Sequence, residues 1–218
     1  LKDAVLNDYD QQKVVELFQT LEFKSLLPRV ADLGKTIGAR GAQASLLPSL
    51  SESANEKQVY TYIATEQQLK TFVKKLSEVK FFALDTETDR LDALFSNLLG
   101  VSICWKAGEA YYLDEKLSTT KEWKKLVDIL EDKSVHKVGH NIKYDLEVLR
   151  HHNINLAGIV FDTMIAAYLL NPDRRGFSLD NLAMMEFGYR MQPITELIGE
   201  GKSQTTMDKV EPEKVSWY

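Results

Sequence analysis

The sequence predicts a mixed α/β fold, and three observations support this prediction. Short runs rich in β-branched and aromatic residues recur between residues 59 and 139. Segments in which apolar residues return every three or four positions separate several of these runs, as amphipathic helices require. Strands come first and then alternate with helices, an order typical of a mixed sheet flanked by helices. We therefore expect a mixed five-stranded sheet.

Each predicted element rests on a local pattern. The five strands are residues 59–63, the run from Phe81 through Asp85, and residues 98–105, 110–113 and 137–139. The third and fourth strands form a hairpin that turns at Ala107 and Gly108. The main helices cover residues 66–78, 119–131, 142–150, 162–170 and 178–187. A last, short helix begins near Pro212, because proline is favoured at the first helical positions.

The first 56 residues form a separate part of the chain. Within residues 1–30, one face of a predicted amphipathic helix carries Val14, Leu17, Phe18 and Leu21. Residues 31–56 are rich in Gly, Ala and Ser and have no sustained periodicity, which is typical of a linker. The predicted α/β domain therefore covers residues 57–218.

Two carboxylates follow the apolar strand that starts at Phe81. Side chains alternate along a strand, so Asp85 and Glu87 point to the same side of the sheet. Two like charges at one place repel each other unless one is protonated or a cation lies between them. The pair therefore indicates a divalent-metal site, although acidic residues also occur in ordinary turns after strands. A carboxylate elsewhere has to decide between these interpretations.

Asp145 is the candidate for that third carboxylate. If Asn141 caps a helix through residue 150, the apolar stripe comprises Ile142, Leu146, Val148 and Leu149. Asp145 falls inside this stripe, whereas the charged residues at 143, 147 and 150 fall on the opposite face. A buried carboxylate is costly unless it is hydrogen-bonded, paired or close to a metal. A structural Asp that bonds backbone groups is the alternative.

Several motifs together resemble a known family. Asp85-Thr86-Glu87, Gly139-His140-Asn141 with Tyr144-Asp145, and the late Tyr218 are similar to motifs of the proofreading 3′→5′ exonuclease domain of bacterial DNA polymerase I. The resemblance extends to Leu91-Asp92, Lys137-Val138-Gly139 and Phe161-Asp162-Thr163-Met164. It implies a ribonuclease H-like exonuclease fold of the DEDD class. It also implies the tyrosine type, in which a Tyr precedes the last Asp by four positions.

The resemblance also implies two divalent ions, Mg²⁺ or Mn²⁺, in the intact domain. In the family these ions straddle the scissile phosphate, about 3.5–4 Å apart. By resemblance, Asp85 contacts both ions, Glu87 binds the ion that activates the water, and Asp145 acts on the second ion through its waters. Tyr218 would hydrogen-bond the attacking water. Such a carboxylate-only site suits hard, oxygen-liking cations.

The two ends of the sequence lead to further expectations. The first residue is Leu1 and not Met, so we expect a longer parent polypeptide. Residues 1–30 resemble the C-terminal tail of the 5′ nuclease domain that precedes the exonuclease domain in this family. The family's fourth carboxylate lies four positions after the Tyr, beyond Tyr218. We therefore expect this fragment to bind the first metal weakly and to hydrolyse DNA poorly, while the parent is active.

Six residues are expected to contact DNA, some by resemblance to the family and some by their place in the chain. They are Thr86, Leu91, His140, Asn141, Lys202 and Gln204. Leu91 is expected to act as an apolar wedge between the last two bases. The loop of residues 199–206 lacks the strand context of a phosphate-binding loop, but it is expected to touch single-stranded DNA.

Composition limits the remaining functions. No apolar run reaches membrane-spanning length and no signal peptide is visible, so we expect no membrane role. A single cysteine excludes an internal disulfide and suits a reducing cytoplasm, here expected to be bacterial and nucleoid-associated. The net charge of −5 argues against a strong grip on duplex DNA. We expect a single-stranded or frayed 3′ end as the substrate, a polymerase domain in the same parent chain, and no obligate protein partner.

Two alternatives stay open. An RNA-trimming nuclease of the ribonuclease D kind would share the fold, but the resemblance of residues 1–30 to a 5′ nuclease tail argues against it. A catalytically silent domain that binds single strands or serves as a scaffold is the other alternative. Retention of Asp85, Glu87 and Asp145 argues against a silent parent protein.

Overall fold

The computed structural model describes residues 58–201 and 204–218. It also describes eight earlier residues, namely Asp10, Lys13, Val14, Leu17, Phe18, Leu21, Phe23 and Leu26. The chain divides into two compact units, one of residues 1–55 with 185–189 and the other of residues 56–184 with 190–218. In the first unit, residues 13, 14, 17 and 18 are helical, in agreement with the predicted amphipathic helix. The predicted linker, residues 31–56, lies outside the described residues.

The second unit is built on a six-stranded mixed sheet. Its strands are β1 (Val59–Ile63), β2 (Phe81–Thr88), β3 (Leu98–Lys106), β4 (Glu109–Asp114), β5 (His136–Gly139) and β6 (Ile159–Asp162), in the spatial order β1-β4-β3-β2-β5-β6. β3 pairs antiparallel with β2 and with β4. The other three pairings, β1 with β4, β2 with β5 and β5 with β6, are parallel. The predicted mixed α/β class is therefore confirmed, and β2 lies inside the sheet.

The predicted number of five strands was wrong, because β6 is a sixth strand. β6 has four residues and pairs only with β5, at the edge of the sheet. Its first three side chains, Ile159, Val160 and Phe161, are all exposed. A strand this short shows no alternation between buried and exposed positions, so its sequence carries no period-two signal.

The helices of the second unit lie close to their predicted positions. They are α1 (Glu66–Leu76), α2 (Lys121–Glu131), α3 (Ile142–His151), α4 (Thr163–Leu170), α5 (Leu179–Phe187), α6 (Thr195–Ile198) and α7 (Pro212–Val215). α5 extends into the three residues 185–187 that fall in the first unit. Short 3₁₀ turns occur at Glu115–Leu117 and Met207–Lys209. Within the described residues, no helix is both long and apolar enough to cross a membrane.

Apolar side chains pack on both faces of the sheet. The larger cluster joins α1, α2 and α3 to the sheet and includes the buried residues of α1, Leu69, Phe72, Val73 and Leu76. A smaller cluster is formed by Tyr112, Met207 and Val215, with Tyr62 and Leu99 packed against it. Neighbouring residues of β4, such as Tyr112 and Leu113, belong to different clusters, as alternation along a strand requires. The C-terminal segment therefore covers the face opposite α1, α2 and α3.

Lys137 of β5 is a fully buried cation. Its Nζ donates to the carbonyl oxygens of Ile129 at 2.8 Å and Asp132 at 2.7 Å, at the end of α2. Burial lowers the pKa of Lys137 to about 8. The side chain thus gives a second donor to two carbonyl groups at the end of α2, each of which also accepts a backbone hydrogen bond.

Candidate active site

The first two predicted site residues lie near the carboxyl end of β2. Leu84 and Thr86 of this strand are buried on the side of α3, whereas the alternate residues Asp85 and Glu87 face the other side of the sheet. Asp85 reaches solvent, and Glu87 is half-buried. The pair therefore lies on the sheet face that the C-terminal segment covers.

Asp145 reaches the same end of β2 from α3. Its side chain is only 1% exposed, and it shares the buried face of α3 with Ile142, Val148 and Leu149, as the spacing predicted. Its Oδ1 accepts hydrogen bonds from the Thr86 backbone N–H at 2.8 Å and from the Thr86 hydroxyl at 2.7 Å. These two bonds hold the α3 carboxylate against the strand residue that separates Asp85 from Glu87.

Burial raises the pKa values of all three carboxylates, and neighbouring charges add to the shift at two of them. Burial, together with the charge of Asp85, raises the pKa of Asp145 to about 7, although the Thr86 donors oppose the shift. Burial and then the charges of Asp85 and Asp145 raise the pKa of Glu87 to about 8. Burial raises the pKa of Asp85 less, to about 6, because a hydrogen bond from the Thr86 backbone opposes the shift. The cluster therefore resists full ionisation, and a nearby cation would relieve that resistance.

Asp162 fixes the start of the helix that carries Asp145. Its Oδ2 accepts from the backbone N–H of Ile142 at 2.9 Å, and its Oδ1 accepts from that of Asn141 at 3.2 Å. Oδ1 also accepts from the backbone N–H groups of Met164 and Ile165 at the start of α4. Burial alone would raise the pKa of Asp162, but these donors outweigh it and hold the pKa below its usual range. One carboxylate therefore caps both α3 and α4.

The prediction that Asn141 caps α3 was right about the position but wrong about the side chain that makes the cap. Asn141 occupies the capping position, but its side chain makes no capping hydrogen bond. Its backbone is left-handed, with φ of 58° and ψ of 41°, a conformation that Asn tolerates better than most residues. The cap comes from Asp162, 20 residues after Ile142, so local sequence spacing could not reveal it.

Tyr218 lies close enough to the carboxylates to feel their charge. It follows α7, which begins at Pro212 as predicted, and its backbone N–H donates to the carbonyl of Val215 at 3.1 Å. Burial and then the charges of Glu87 and Asp85 raise the pKa of its phenol. The structure therefore brings the fourth predicted catalytic residue to the same face as Asp85 and Glu87.

The loop between β2 and β3 continues directly from Glu87. The carboxylate of Asp89 accepts from the backbone N–H and the side-chain amide of Asn97, both at 2.8 Å. The hydroxyl of Tyr144, one residue before Asp145, lies 2.7 Å from the Thr88 hydroxyl and donates to the carbonyl of Arg90 at 3.0 Å. The loop is thus closed at its base and tied to α3.

His152 anchors the far end of this loop. Its Nε2 lies 3.1 Å from the backbone nitrogen of Leu98 and 3.2 Å from the carbonyl oxygen of Ser96. The ring is half-buried. A histidine near the end of a helix gave no sequence signal of this contact, because the partners lie more than 50 positions away.

The predicted DNA-contacting residues fall into different environments. Leu91 is 92% exposed, and Gln204 is exposed in the C-terminal segment. The hydroxyl of Thr86 is engaged by Asp145, and Nδ1 of the half-buried His140 lies 2.8 Å from the hydroxyl of Thr163. Burial lowers the pKa of His140. Lys202 lies outside the described residues.

The donor chemistry at this site fits a hard divalent cation. All three side chains offer carboxylate oxygens, and their pKa values are raised chiefly by burial. Among the residues that the structure describes, no three His, Cys, Asp or Glu side chains are grouped as a metal cage.

Comparisons with known proteins bear on this arrangement. A family model described as 3′-5′ exonuclease matches residues 60–210. DNA polymerase I of Pseudomonas aeruginosa is 29% identical over 95% of this chain. DNA polymerase I of Chloroflexus aurantiacus is 30% identical over the whole chain. The chain spans about a quarter of the length of these relatives, 23% and 26% respectively.

Solved structures share the fold. A structure of the POL domain of Pol1 from M. smegmatis, in complex with DNA primer-template and dNTP, has a TM-score of 0.54 and 23% identity, covering 61% of this chain and 23% of that one. Trypanosoma brucei RNase D in complex with RNA U12 has a TM-score of 0.53 and 21% identity, covering 65% and 52%. At such identities the likeness concerns the fold alone, which is that of ribonuclease H-like exonucleases. From the family match and the two polymerase relatives, the chain belongs to the 3′-5′ exonuclease family of bacterial DNA polymerase I.

Proposed function

We propose that this chain removes nucleotides from the 3′ end of DNA by hydrolysing the terminal phosphodiester. The observation that carries the proposal is the placement of Asp85 and Glu87 on one face of β2, with Asp145 bonded to Thr86 between them. Grouping partly buried carboxylates costs free energy of folding, and binding of divalent cations would offset that cost. Family membership supports the reaction class.

The carboxylates would hold Mg²⁺ or Mn²⁺, two ions in the intact domain. When bound, the ions supply charge neutralisation and a water of lowered pKa. Asp85 would contribute to both ions, Glu87 to the ion nearer the attacking water, and Asp145 to the other. Asp145 is oriented for this role by Thr86, whose two donors leave its second oxygen free of the bonds described above.

Tyr218 would orient the attacking water. Its phenol lies in the field of Glu87 and Asp85, and its raised pKa keeps it protonated at neutral pH. A protonated phenol can donate one hydrogen bond and accept another. Tyr218 would therefore position the water without taking its proton.

The substrate would be a single-stranded or frayed DNA 3′ end. Leu91 would insert between the last two bases, while His140, Asn141 and the segment around Gln204 would contact the strand. A mismatch lowers the cost of unpairing, so mismatched ends would enter the site more often than paired ones. This selection is the basis of proofreading.

The sequence would belong to a longer polymerase. Residues 1–30 would end a 5′ nuclease region, residues 31–56 would form a linker, and residues 57–218 would supply the exonuclease part. A polymerase domain of the same polypeptide would hold the duplex, as part of DNA replication and repair in the bacterial cytoplasm. The length of the relatives, about four times that of this chain, supports this arrangement.

Degradation of 5′-labelled oligonucleotides tests the proposal. The chain and its Asp85→Asn variant are incubated with single-stranded DNA or RNA of one sequence, in Mg²⁺, Mn²⁺ or EDTA. We expect slow loss of single nucleotides from the 3′ end of DNA, only with metal and only with Asp85. Thermal unfolding with and without Mn²⁺ gives a second readout, because a ligand that binds the folded state raises its stability.

The outcomes separate the candidate functions. Faster degradation of RNA than of DNA would favour an RNA-trimming nuclease, whose fold this chain shares with RNase D. Metal stabilisation that depends on Asp85 without any hydrolysis would leave a metal site but not an active exonuclease. Strand binding without metal stabilisation or hydrolysis would indicate a silent binding domain and contradict the proposal.

A further inference from the structure

The loop between β2 and β3 exposes three large apolar side chains within five positions. Leu91 is 92% exposed, Leu94 58% and Phe95 71%, whereas Ala93 and Ser96 between and beside them are buried. Fully burying one such side chain is worth roughly 1.5–3 kcal/mol. The loop thus packs its small residues inward and leaves its large apolar residues in water, which is the reverse of the usual arrangement.

This exposure occurs on an ordered turn. The backbone N–H of Phe95 donates to the carbonyl of Asp92 at 3.2 Å, and that of Leu94 donates to the Asp92 carboxylate at 3.1 Å. The bonds between Asp89 and Asn97 close the base of the loop. Because the turn is already fixed, a ligand that contacts Leu94 and Phe95 has little chain entropy to remove.

The loop is continuous with the carboxylate site. β2 and β3 pair up to Thr88 and Leu98, and the loop extends from this pair, one residue beyond Glu87. Tyr144 ties the carbonyl of Arg90 to the helix that carries Asp145. A strand whose terminal phosphate lies at the carboxylates would therefore have its neighbouring nucleotides beside this loop.

The charges of the loop favour nucleobases over phosphates. Asp89 and Asp92 are acidic, and the nearby cation, Arg90, forms an ion pair with Asp89 at 2.8 Å. An anionic backbone gains little from this balance, whereas the faces of bases are uncharged and stack on apolar side chains. Three side chains are also too few for a stable protein interface, which buries about 1,200–2,000 Å².

We propose that Phe95, with Leu94 beside it, is a stacking platform for bases of the single strand upstream of the scissile bond. The proposal rests on the proposed exonuclease function and assigns to Phe95 a role separate from the wedge role of Leu91. An aromatic ring can stack on any base, so the contact would be independent of sequence. It would supply affinity that a chain of net charge −5 does not gain from phosphate contacts.

Binding of fluorescein-labelled decathymidylate, followed by anisotropy, tests the platform. All variants carry Asp85→Asn, which prevents hydrolysis, and Ca²⁺ replaces Mg²⁺. We expect Phe95→Ala to weaken binding about tenfold and Leu94→Ala to weaken it less, while Phe95→Tyr retains the affinity. Phe81→Ala is the matched control, because Phe81 is 54% exposed at the opposite end of β2 and should not affect binding.

Hydrolysis by chains that keep Asp85 provides the second measurement. Phe95→Ala should raise the KM for the decamer about tenfold with little change in kcat, and it should not alter hydrolysis of a dinucleotide too short to reach the platform. Phe95→Trp should show quenched emission when the decamer binds, as a stacked indole does.

Several results would overturn the platform. The first is an affinity of Phe95→Ala within twofold of that of the chain carrying only Asp85→Asn. The second is an equal loss of affinity in the Phe81→Ala control. The third is no measurable binding by the chain carrying only Asp85→Asn. Self-association that Phe95→Ala abolishes, without a change in DNA affinity, would assign the surface to a protein contact instead. Metal-dependent hydrolysis that is insensitive to Phe95 would overturn the platform alone and leave the proposed function intact.

Discussion

Helices α3 and α4 are capped by the same carboxylate but differ in the burial of their side chains. Asp162 caps both α3 and α4. α3 buries four residues on one face, including Asp145, and exposes its charged side chains. α4 is apolar around most of its circumference, yet none of its residues is buried, and its last residue, Leu170, is 87% exposed.

The difference shows what makes a helix able to position chemistry. The amphipathic pattern of α3 allows one orientation of the helix on the sheet, and this orientation fixes the position of the Asp145 side chain. The apolar surface of α4 is nearly uniform, so it does not favour one orientation of the helix. Within the part of the chain that the structure describes, no element covers its exposed face. A helix of eight residues with none of them buried contributes little stability of its own. Predictions about the two helices should therefore differ sharply.

The largest expected effect belongs to Asp145. Asp145→Asn preserves the shape of α3 but removes a charge that the metals and the scissile phosphate would feel. We expect the rate of 3′-end hydrolysis to fall by roughly 10³-fold, since such charge stabilisation is worth several kcal/mol. Single-turnover degradation of a labelled oligonucleotide measures the change. Retention of more than a tenth of the rate would contradict the role of Asp145.

Leucine truncations compare the packing of the two helices directly. Leu149→Ala in α3 should lower the free energy of unfolding by about 2–5 kcal/mol, because Leu149 is fully buried. Leu170→Ala in α4 removes the same atoms from an exposed position. Urea denaturation followed by circular dichroism measures both variants. Similar losses in the two helices would break the comparison.

Removal of the shared cap comes next. Asp162→Ala leaves the backbone N–H groups at the starts of both helices without their carboxylate. We expect a loss of about 2 kcal/mol in the free energy of unfolding, about one for each cap. Asp162→Asn is the control, since its remaining oxygen can still accept from part of this set. If Asp162→Ala unfolds at the same urea concentration as the parent, the double cap is not stabilising.

The stability of the metal-free chain should depend on pH through α3 and β2. Asp145 and Glu87 have folded pKa values of about 7 and 8, above their unfolded values near 4, so the folded state holds protons that the unfolded state has lost. Their contribution is fully present below pH 4 and is lost as the pH rises through 7 to 8. We expect a decline on the order of 1 kcal/mol per pH unit across this window.

Thermal unfolding at several pH values in EDTA measures this decline. Asp145→Asn should flatten it, and Mn²⁺ should stabilise the parent more at pH 8 than at pH 5. α4 contributes no ionisable carboxylate or amine to the effect. A metal-free stability that rises between pH 5 and 8 would contradict the raised pKa values.

The smallest expected effect is that of Leu170→Ala. Surface substitutions usually change stability by less than about 0.5 kcal/mol, and Leu170 should follow this rule in the 218-residue chain. Differential scanning fluorimetry of parent and variant is sufficient to detect a larger change. A loss above about 1 kcal/mol would mean that α4 is covered.

Local patterns predicted the parts of the site that lie close together in sequence. The period of two in β2 placed Asp85 and Glu87 on one face, and the helical period of α3 placed Asp145 among buried residues. Contacts between distant positions were not predictable in the same way. The Asp162 cap and the bond from Thr86 to Asp145, which joins residues 59 positions apart, depend on how the strands and helices assemble.

Exposure was equally hard to predict. The run of apolar residues from Ile159 to Leu170 contains a strand and a helix but buries none of its large side chains in the described structure. Hydrophobic periodicity shows which face of an element is apolar, and it says nothing when every face is apolar. The same limit hid β6.

Chemical labelling of the buried Lys137 amine can measure local unfolding of the domain. Among the described lysines it alone is buried, so an acylating reagent should modify the other described lysines quickly and Lys137 only when β5 separates from the end of α2. Its rate of labelling would then follow the equilibrium between closed and open forms, as amide exchange does. β5 leads directly into the turn before α3, the helix that carries Asp145. The labelling of this single amine would therefore report how often the contact between β5 and the end of α2 opens.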